Sequence, residues 1–511
     1  MDSRSQWGTR AGFIMAAVGS AIGLGNIWRF PAVAYENGGG AFFIPYLFAL
    51  LTAGIPILIM EFTMGHKYRG SSPLTFRKIN KRAEFVGWWG VFVSFVISTY
   101  YSVIIAWAIS YSYFSLKLSW GKDPNSFLGN DYLQNTVDPG AVGSFVPGVL
   151  VPLIIVWVIV LGILSKGVKK GIEAANRIFI PLLVFAFLLI VIRAVTLPGA
   201  LDGLQAFFQP DFSQIMKPSV WVEAYGQIFF SMSIAFAIMI TYSSYLPRKA
   251  DITNNAFITG FGNSSFELLA GIGVFSVLGF MSAQQGIPID EVVTDGVGLA
   301  FVVFPEIINQ FPAFNQAFGF LFFFSLFLAG LTSLMSITET YVAAVSDKFN
   351  VSRKKAVLFG GGLSAVVSLI YATQGGLSFL DNVDYFINQF GVAVLGLVEV
   401  VLIAWVFRKL GEYKRHANAI SDIQLGSWWT ICLTTITPIV LGFQMVRLFQ
   451  QNLGKTFDTD TGNYSGYSDM FIFYGGWLVA ITVVIVAIIF SLMKWRSNQN
   501  DTFESTEGEN N

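Results

Sequence analysis

Twelve apolar runs of about 20 residues or more recur along this chain, and that recurrence limits what it can become. They fall near residues 11–36, 41–66, 86–116, 146–164, 169–195, 219–246, 254–283, 313–346, 354–372, 377–407, 428–449 and 471–494. A hydrocarbon layer of about 30 Å is crossed by about 20 helical residues. Inside lipid each backbone N–H and C=O has to be satisfied within the chain, and a helix does this locally. The chain is 54% hydrophobic and 12% charged, against about 25% charged for a soluble domain. Its 50 Phe and 50 Gly suit packed spanning helices. The fold class is therefore an all-α integral membrane protein.

The loops alternate in charge. Lys67, Arg69, Arg77, Lys78, Lys81 and Arg82 follow the second run, and further basic clusters follow the fourth, sixth, eighth and tenth. The intervening loops carry Asp123, Asp131, Asp138, Asp202, Asp211, Asp290, Glu291 and Asp295. The positive-inside rule then predicts a multi-pass protein of the plasma (cell inner) membrane with both termini cytoplasmic. The first run is glycine-rich and polar in its middle, so it is not expected to be a cleaved signal. Residues 496–511 are polar and acidic and are expected to form a disordered cytoplasmic tail.

Composition also excludes several functions. Net charge is zero, which removes the electrostatic basis for a nucleic-acid partner. The single cysteine, Cys432, rules out an internal disulfide and a Cys metal cluster. With only His66 and His416, a histidine-ligated metal or a His-dependent triad is not expected. No organic cofactor is expected, and an enzyme would need groups the sequence does not offer.

Two runs contain what a lipid-spanning helix should avoid. Gly19 to Pro31 reads GSAIGLGNIWRFP, with Gly19, Gly23, Gly25, Asn26 and Arg29 at membrane depth. Irregular backbone is tolerated there only where it lines an enclosed cavity. Freed carbonyls can coordinate a cation, and freed amides at a half-helix start can hold an anion. The sixth run, GQIFFSMS from Gly226, has a polar centre at Ser231-Met232-Ser233. Each broken run opens a five-run block, which points to a transport site in an inverted-repeat fold. Taken singly, Ser233 could back-bond to its own helix, and Thr332 and Ser333 could serve helix packing.

The motifs GSAIGLGNIWRFP at Gly19, ENGGGAFFIPY at Glu36, GQIFFSMS at Gly226, GLAFVVFP at Gly298 and AGLTS at Ala329 resemble the neurotransmitter:sodium symporter family. That family includes the bacterial leucine transporter and animal monoamine, GABA and glycine carriers. The resemblance covers residues 4 to about 495. It implies one transmembrane domain over 1–495, with twelve helices arranged as two inverted five-helix repeats plus two C-terminal helices. The repeats would span about 11–195 and 219–407, with the extra helices at about 428–494 and helices 1 and 6 broken at the midplane.

The resemblance assigns two sodium sites. Gly19, Ile22, Ala329, Thr332 and Ser333 would form one. Ala21, Asn26, Ser231 and Asn263, with the substrate carboxylate, would form the other. The substrate carboxylate would meet amides around Ser20, Ala21, Gly23 and Gly25 and the hydroxyl of Tyr101; its amino group would meet carbonyls of Phe230 and Ser233, and Ser231 would also belong to the substrate site. The side-chain pocket would be Ile97, Phe230, Ser233, Ala235, Phe236, Leu334 and Ile337. Ala235, Ile97 and Leu334 stand where the leucine transporter has glycine, valine and serine, which implies a small or medium neutral amino acid. Arg29 and Asp384 match the family's outer gate; Arg4, Trp7, Tyr245 and Asp347 match its inner gate. Glu267, four residues after Asn263, stands where chloride-dependent members have a serine, and Tyr46 and Gln227 are kept around it. A carboxylate there would substitute for chloride and could exchange a proton on return, although a purely local hydrogen bond is the plainer alternative. Glu61 and Glu339, also within runs, read as structural partners of backbone or polar groups. The function implied is sodium-coupled uptake of a neutral amino acid. The alternatives are a transporter-like amino-acid sensor or a carrier of another small zwitterion or amine, and oligomeric state stays open.

Overall fold

Apolar side chains that need to leave water and backbone groups that need partners in lipid both favour helix, and every run becomes one. The computed structural model describes residues 5–293, 296–452 and 467–496, and no β-sheet occurs among them. Ten helices are long and apolar enough to cross a membrane: Gly40–Tyr68, Lys81–Ser115, Pro147–Ser165, Val168–Ala194, Ile252–Gln285, Asn315–Phe349, Arg353–Ala372, Gly376–Val406, Ser427–Gln450 and Asp469–Leu492. These are the second to fifth and the seventh to twelfth spans. The first is a bent pair, Arg10–Ala21 and Leu24–Glu36, turning by 55° between its halves. The sixth is two half-helices, Pro218–Ser231 and Ile238–Ser243. Among the described residues ten expected spans, or eleven with the bent pair, are thus long and apolar enough to cross, and the sixth run forms two shorter helices around the second expected break. Arg4 and residues 497–511 lie outside the described residues.

Local sequence sets the span ends. Thr9 caps the first span by accepting from Gly12 N–H at 3.0 Å, and Asp251 caps the seventh by accepting from Asn254 N–H at 2.9 Å. Gly286 ends the seventh in a left-handed conformation. Three short helices in the connections were not foreseen: Ser72–Ile79, Ala200–Phe208 and Leu410–Asn418. The last buries Leu410, Tyr413 and Ala417 on one side.

The third and eighth spans form the centre, packed along one another. Of the eighth span's most apolar window, 83% is buried inside the protein, against 33% for the eleventh and twelfth. The outer spans therefore turn residues such as Val158, Phe185 and Phe359 toward lipid. Gly65 of the second span lies so close to the sixth that an added Cβ would fall 2.0 Å from the Ile240 carbonyl oxygen. One ion pair is fully buried: Lys348 bonds Glu84 at 2.5 Å, and Arg77 and the indoles of Trp88 and Trp495 complete that carboxylate's shell.

Candidate substrate and cation site

The first break comes at Ile22 and Gly23, both extended, between the helices ending at Ala21 and starting at Leu24. Its freed groups are taken up locally. Gly23 N–H donates to Asn26 Oδ1 at 2.8 Å, and Leu24 N–H donates to the Tyr101 hydroxyl at 3.3 Å. The Ser333 hydroxyl lies 3.4, 3.3 and 3.2 Å from the carbonyl oxygens of Gly19, Ser20 and Ile22. Gly25 is required by contact, because a Cβ there would sit 2.4 Å from the Phe230 ring.

The second break runs from Met232 to Ala237. Ser233, Ala235 and Ala237 have φ of 53°, 64° and 60°, left-handed without being glycine. Such residues cost about 1–3 kcal/mol each and persist where surroundings hold them. Here Ala235 N–H donates to Glu61 Oε1 at 2.8 Å, the Ser94 hydroxyl donates to the Phe236 carbonyl at 2.7 Å, and the Ser233 hydroxyl donates to the Ser20 carbonyl at 3.0 Å. Glu61 is thus a partner of freed backbone, as read from sequence. Glu339 is a partner of Arg353, at 2.8 and 2.6 Å, and of the Tyr245 hydroxyl.

Together the breaks wall a cavity of about 410 Å³, within the range of small-molecule sites. Ser20, Ala21, Gly23, Gly25, Asn26, Ile97, Tyr101, Phe230, Ser231, Ser233, Phe236, Ser333, Ile337 and Asp384 all line it. Ala235 and Leu334 do not. Ala235 points its N–H at Glu61 and its Cβ toward Gly396, and Leu334 is fully buried elsewhere on the eighth span. The sequence reading also omitted Trp28, Tyr100, Asp381 and Asn388 from the wall. Asp381, Asp384 and Asn388 recur at helical spacing in the tenth span, a polar stripe that could have shown them.

The oxygen groups needed by a hard monovalent cation gather at two places. Gly19 O, Ile22 O and Ser333 Oγ converge, while the adjacent Thr332 Oγ1 donates to Ala329 O, a turn back, at 2.9 Å. At the other place a buried chain runs from Asn26 Nδ2 to Asn263 Oδ1 at 2.8 Å and from Asn263 Nδ2 to Ser231 Oγ at 3.0 Å. Beyond it Glu267 is fully buried, accepting from Tyr46 and, at 2.7 Å, from Gln227.

The two ends of the site differ. The cavity wall continues through Gly296, Leu377 and Asp381, toward the side opposite the chain's first residues. Arg29 and Asp384 do not form an ion pair; the guanidinium sits 5.0 Å from the Phe230 ring centroid, and Asn388 donates to Asp384 at 2.8 Å. On the N-terminal side Trp7 is buried. Its indole donates to the Tyr242 carbonyl at 2.8 Å and its backbone N–H to the Tyr245 carbonyl at 3.1 Å. Asp347 accepts from Ser71 N–H there at 2.8 Å.

Comparison with known proteins agrees with this architecture. A profile described as the sodium:neurotransmitter symporter family matches residues 4–142 and 140–498. An uncharacterized sodium-dependent transporter of Methanocaldococcus jannaschii is 42% identical over 491 residues, covering 96% of this chain and 98% of that one. A sodium- and chloride-dependent GABA transporter 2 of Rattus norvegicus is 31% identical, over 97% of this chain and 87% of its own. A sodium-dependent dopamine transporter of Caenorhabditis elegans is 29% identical, over 86% and 79%. With both broken spans in place and matches along nearly its whole length, the chain belongs to the sodium:neurotransmitter symporter family.

Proposed function

We propose that this protein takes up a small or medium neutral amino acid with two sodium ions, and that Glu267 stands in for chloride. The observation that carries the reading is the buried Glu267 carboxylate, held by Tyr46 and Gln227 beside the Asn263–Ser231 chain. One sodium would be held by carbonyls of Gly19, Ile22 and Ala329 and hydroxyls of Thr332 and Ser333. The other would be held by Ala21, Asn26, Asn263, Ser231 and the substrate carboxylate. Neutral oxygens suit a monovalent cation, and the fixed negative charge at Glu267 offsets it.

The substrate carboxylate meets the amides and Tyr101 hydroxyl at the first break, and its amino group the carbonyls at the second. Ile97, Phe236 and Ile337 limit side-chain size. Arg29 with Asp384 closes the outer side, and Trp7, Tyr245 and Asp347 close the cytoplasmic side of the plasma membrane, the side on which both termini lie. A neutral zwitterion entering with two sodium ions carries two charges, about 4.6 kcal/mol per 100 mV, and a proton carried back lowers the net to one charge, about 2.3 kcal/mol per 100 mV. With the proton returned, tenfold sodium gradients bring the total to about 5 kcal/mol, enough for a substrate gradient of several thousandfold. After sodium leaves, a buried lone carboxylate is costly to keep ionised, so Glu267 returns with a proton.

Reconstitution in liposomes tests this with labelled neutral amino acids, GABA and amines, with and without a sodium gradient. Replacing chloride with gluconate should leave wild-type uptake intact, and Glu267→Ser should make uptake chloride-dependent. Strong chloride dependence of the wild type would defeat the reading.

A further inference from the structure

Two glutamates that neither the substrate nor the cation sites use meet behind the sixth-span break. Glu61 of the second span and Glu399 of the tenth are both buried, at 0% and 3% exposure. The Glu61 carboxyl acts electrostatically on Glu399, no cation acts on either, and Ala235, bonded to Glu61, packs at Gly396, one turn before Glu399. The remaining titratable neighbour is the Tyr413 hydroxyl, from the helix Leu410–Asn418. Glu61 uses Oε1 to accept the Ala235 N–H at 2.8 Å. Its Oε2 and the Oε1 of Glu399 are both buried without a hydrogen-bond partner.

Two carboxylates at membrane depth with no counter-ion cannot both be ionised. Burial disfavours each charge, and each charge disfavours the other. Two acceptor-only groups also leave these two oxygens unsatisfied, whereas a carboxylic acid gains an O–H donor. We propose that Glu61 and Glu399 form a proton-binding site that keeps at least one proton throughout the transport cycle and ties the second span to the tenth. The O–H of one acid donates to the other, and Glu61 stays free to accept from Ala235. Glu61 is then a positioning residue: it fixes the left-handed backbone at Ala235, whose neighbour Phe236 lines the cavity.

Infrared difference spectroscopy of the reconstituted full chain reads that proton directly. Wild type minus the double variant Glu61→Gln/Glu399→Gln should show the carbonyl band of a protonated carboxylic acid. The band should persist from mildly acidic to mildly alkaline pH and stay put when sodium and substrate are added. Glu267 is present in both proteins and cancels, so failure here is separate from failure of the chloride reading. Absence of the band would overturn the proposal, as would a band that comes and goes with sodium or substrate. Should the double variant fail to fold, Glu399→Gln alone gives the same comparison, because its amide replaces the O–H donor and leaves Glu61 on Ala235. Its uptake should keep the wild-type pH dependence; loss of that dependence would mean the proton is transported. Substrate affinity lost in Glu61→Ala should be kept in Glu61→Gln, and equal loss in both would count against the positioning role.

Discussion

Single atoms decide much at this site. Gly25 leaves no room for a methyl group against the Phe230 ring. Gly25→Ala should destabilise by about 1–3 kcal/mol, the range for overpacking a tight interior, and uptake should fall with it. Thermal melting and transport measured on the same preparation check both. Ile97 and Ala235 should behave differently, although the resemblance groups them. Ile97 lines the cavity, so Ile97→Val should favour larger substrates by about 1–3 kcal/mol in a competition series. Ala235→Gly removes a methyl group that faces Gly396, and the substrate ranking should not change. A shift with Ala235→Gly as large as that with Ile97→Val would return Ala235 to the pocket wall.

The helical elements explain why part of the site was legible and part was not. The eighth span is one helix from Asn315 to Phe349, so Ser333 and Ile337 share a face, and Leu334, about 100° round from Ser333 at the edge of that face, is buried off the wall. The sixth span offers no such guide. Three left-handed residues reset the helical phase after Ser231, and nothing in the letters Ser-Met-Ser-Ile-Ala-Phe-Ala says which side chains face inward. The breaks themselves were visible, because glycines and polar residues at membrane depth are costly. Removing the two hydroxyls with Thr332→Ala/Ser333→Ala should weaken sodium activation of uptake by roughly tenfold or more, since the loss of each cation-bound oxygen costs about 1 kcal/mol or more. Equal sodium affinity in variant and wild type would sink that cation assignment.

The helix Leu410–Asn418 docks through a contact no spacing rule could show: His416 Nε2 lies 2.9 Å from Nδ1 of His66, whose own Nε2 lies 2.9 Å from the Pro247 carbonyl. Burial, then the charges of His66 and Lys67, push His416 down to about 4. The unfolded imidazole titrates near about 6.5, so the folded state binds fewer protons below that pH. Stability from this contact is full above about 6.5 and is lost as pH falls toward about 4. Melting temperature should drop on acidification in wild type and drop less in His416→Gln; identical acid profiles would remove the contact from consideration.

Across the whole molecule the two sides are unequal. The cavity wall continues through Gly296, Leu377 and Asp381 on the opposite side, and on the N-terminal side Trp7 packs edge-on against Tyr242 and Tyr245. Ser336 accepts from the Tyr242 hydroxyl at 2.9 Å next to that cluster. Trp7→Ala combined with Ser336→Cys should react faster with an impermeant thiol reagent added on the N-terminal side than Ser336→Cys alone. The background is low, because the native thiol of Cys432 is buried. An unchanged labelling rate would show that Trp7 is not the plug.

The left-handed run at Ser233, Ala235 and Ala237 makes the sixth span resemble a drawn bow. Three such residues hold back about 3–9 kcal/mol that ordinary helix would release. The strings are few: one carboxylate oxygen, one serine hydroxyl on Phe236, and the hydroxyl of Ser233 itself. Cutting any of them would let the segment rewind by itself, so the energy for local motion at the pocket already resides in the backbone before any ion arrives.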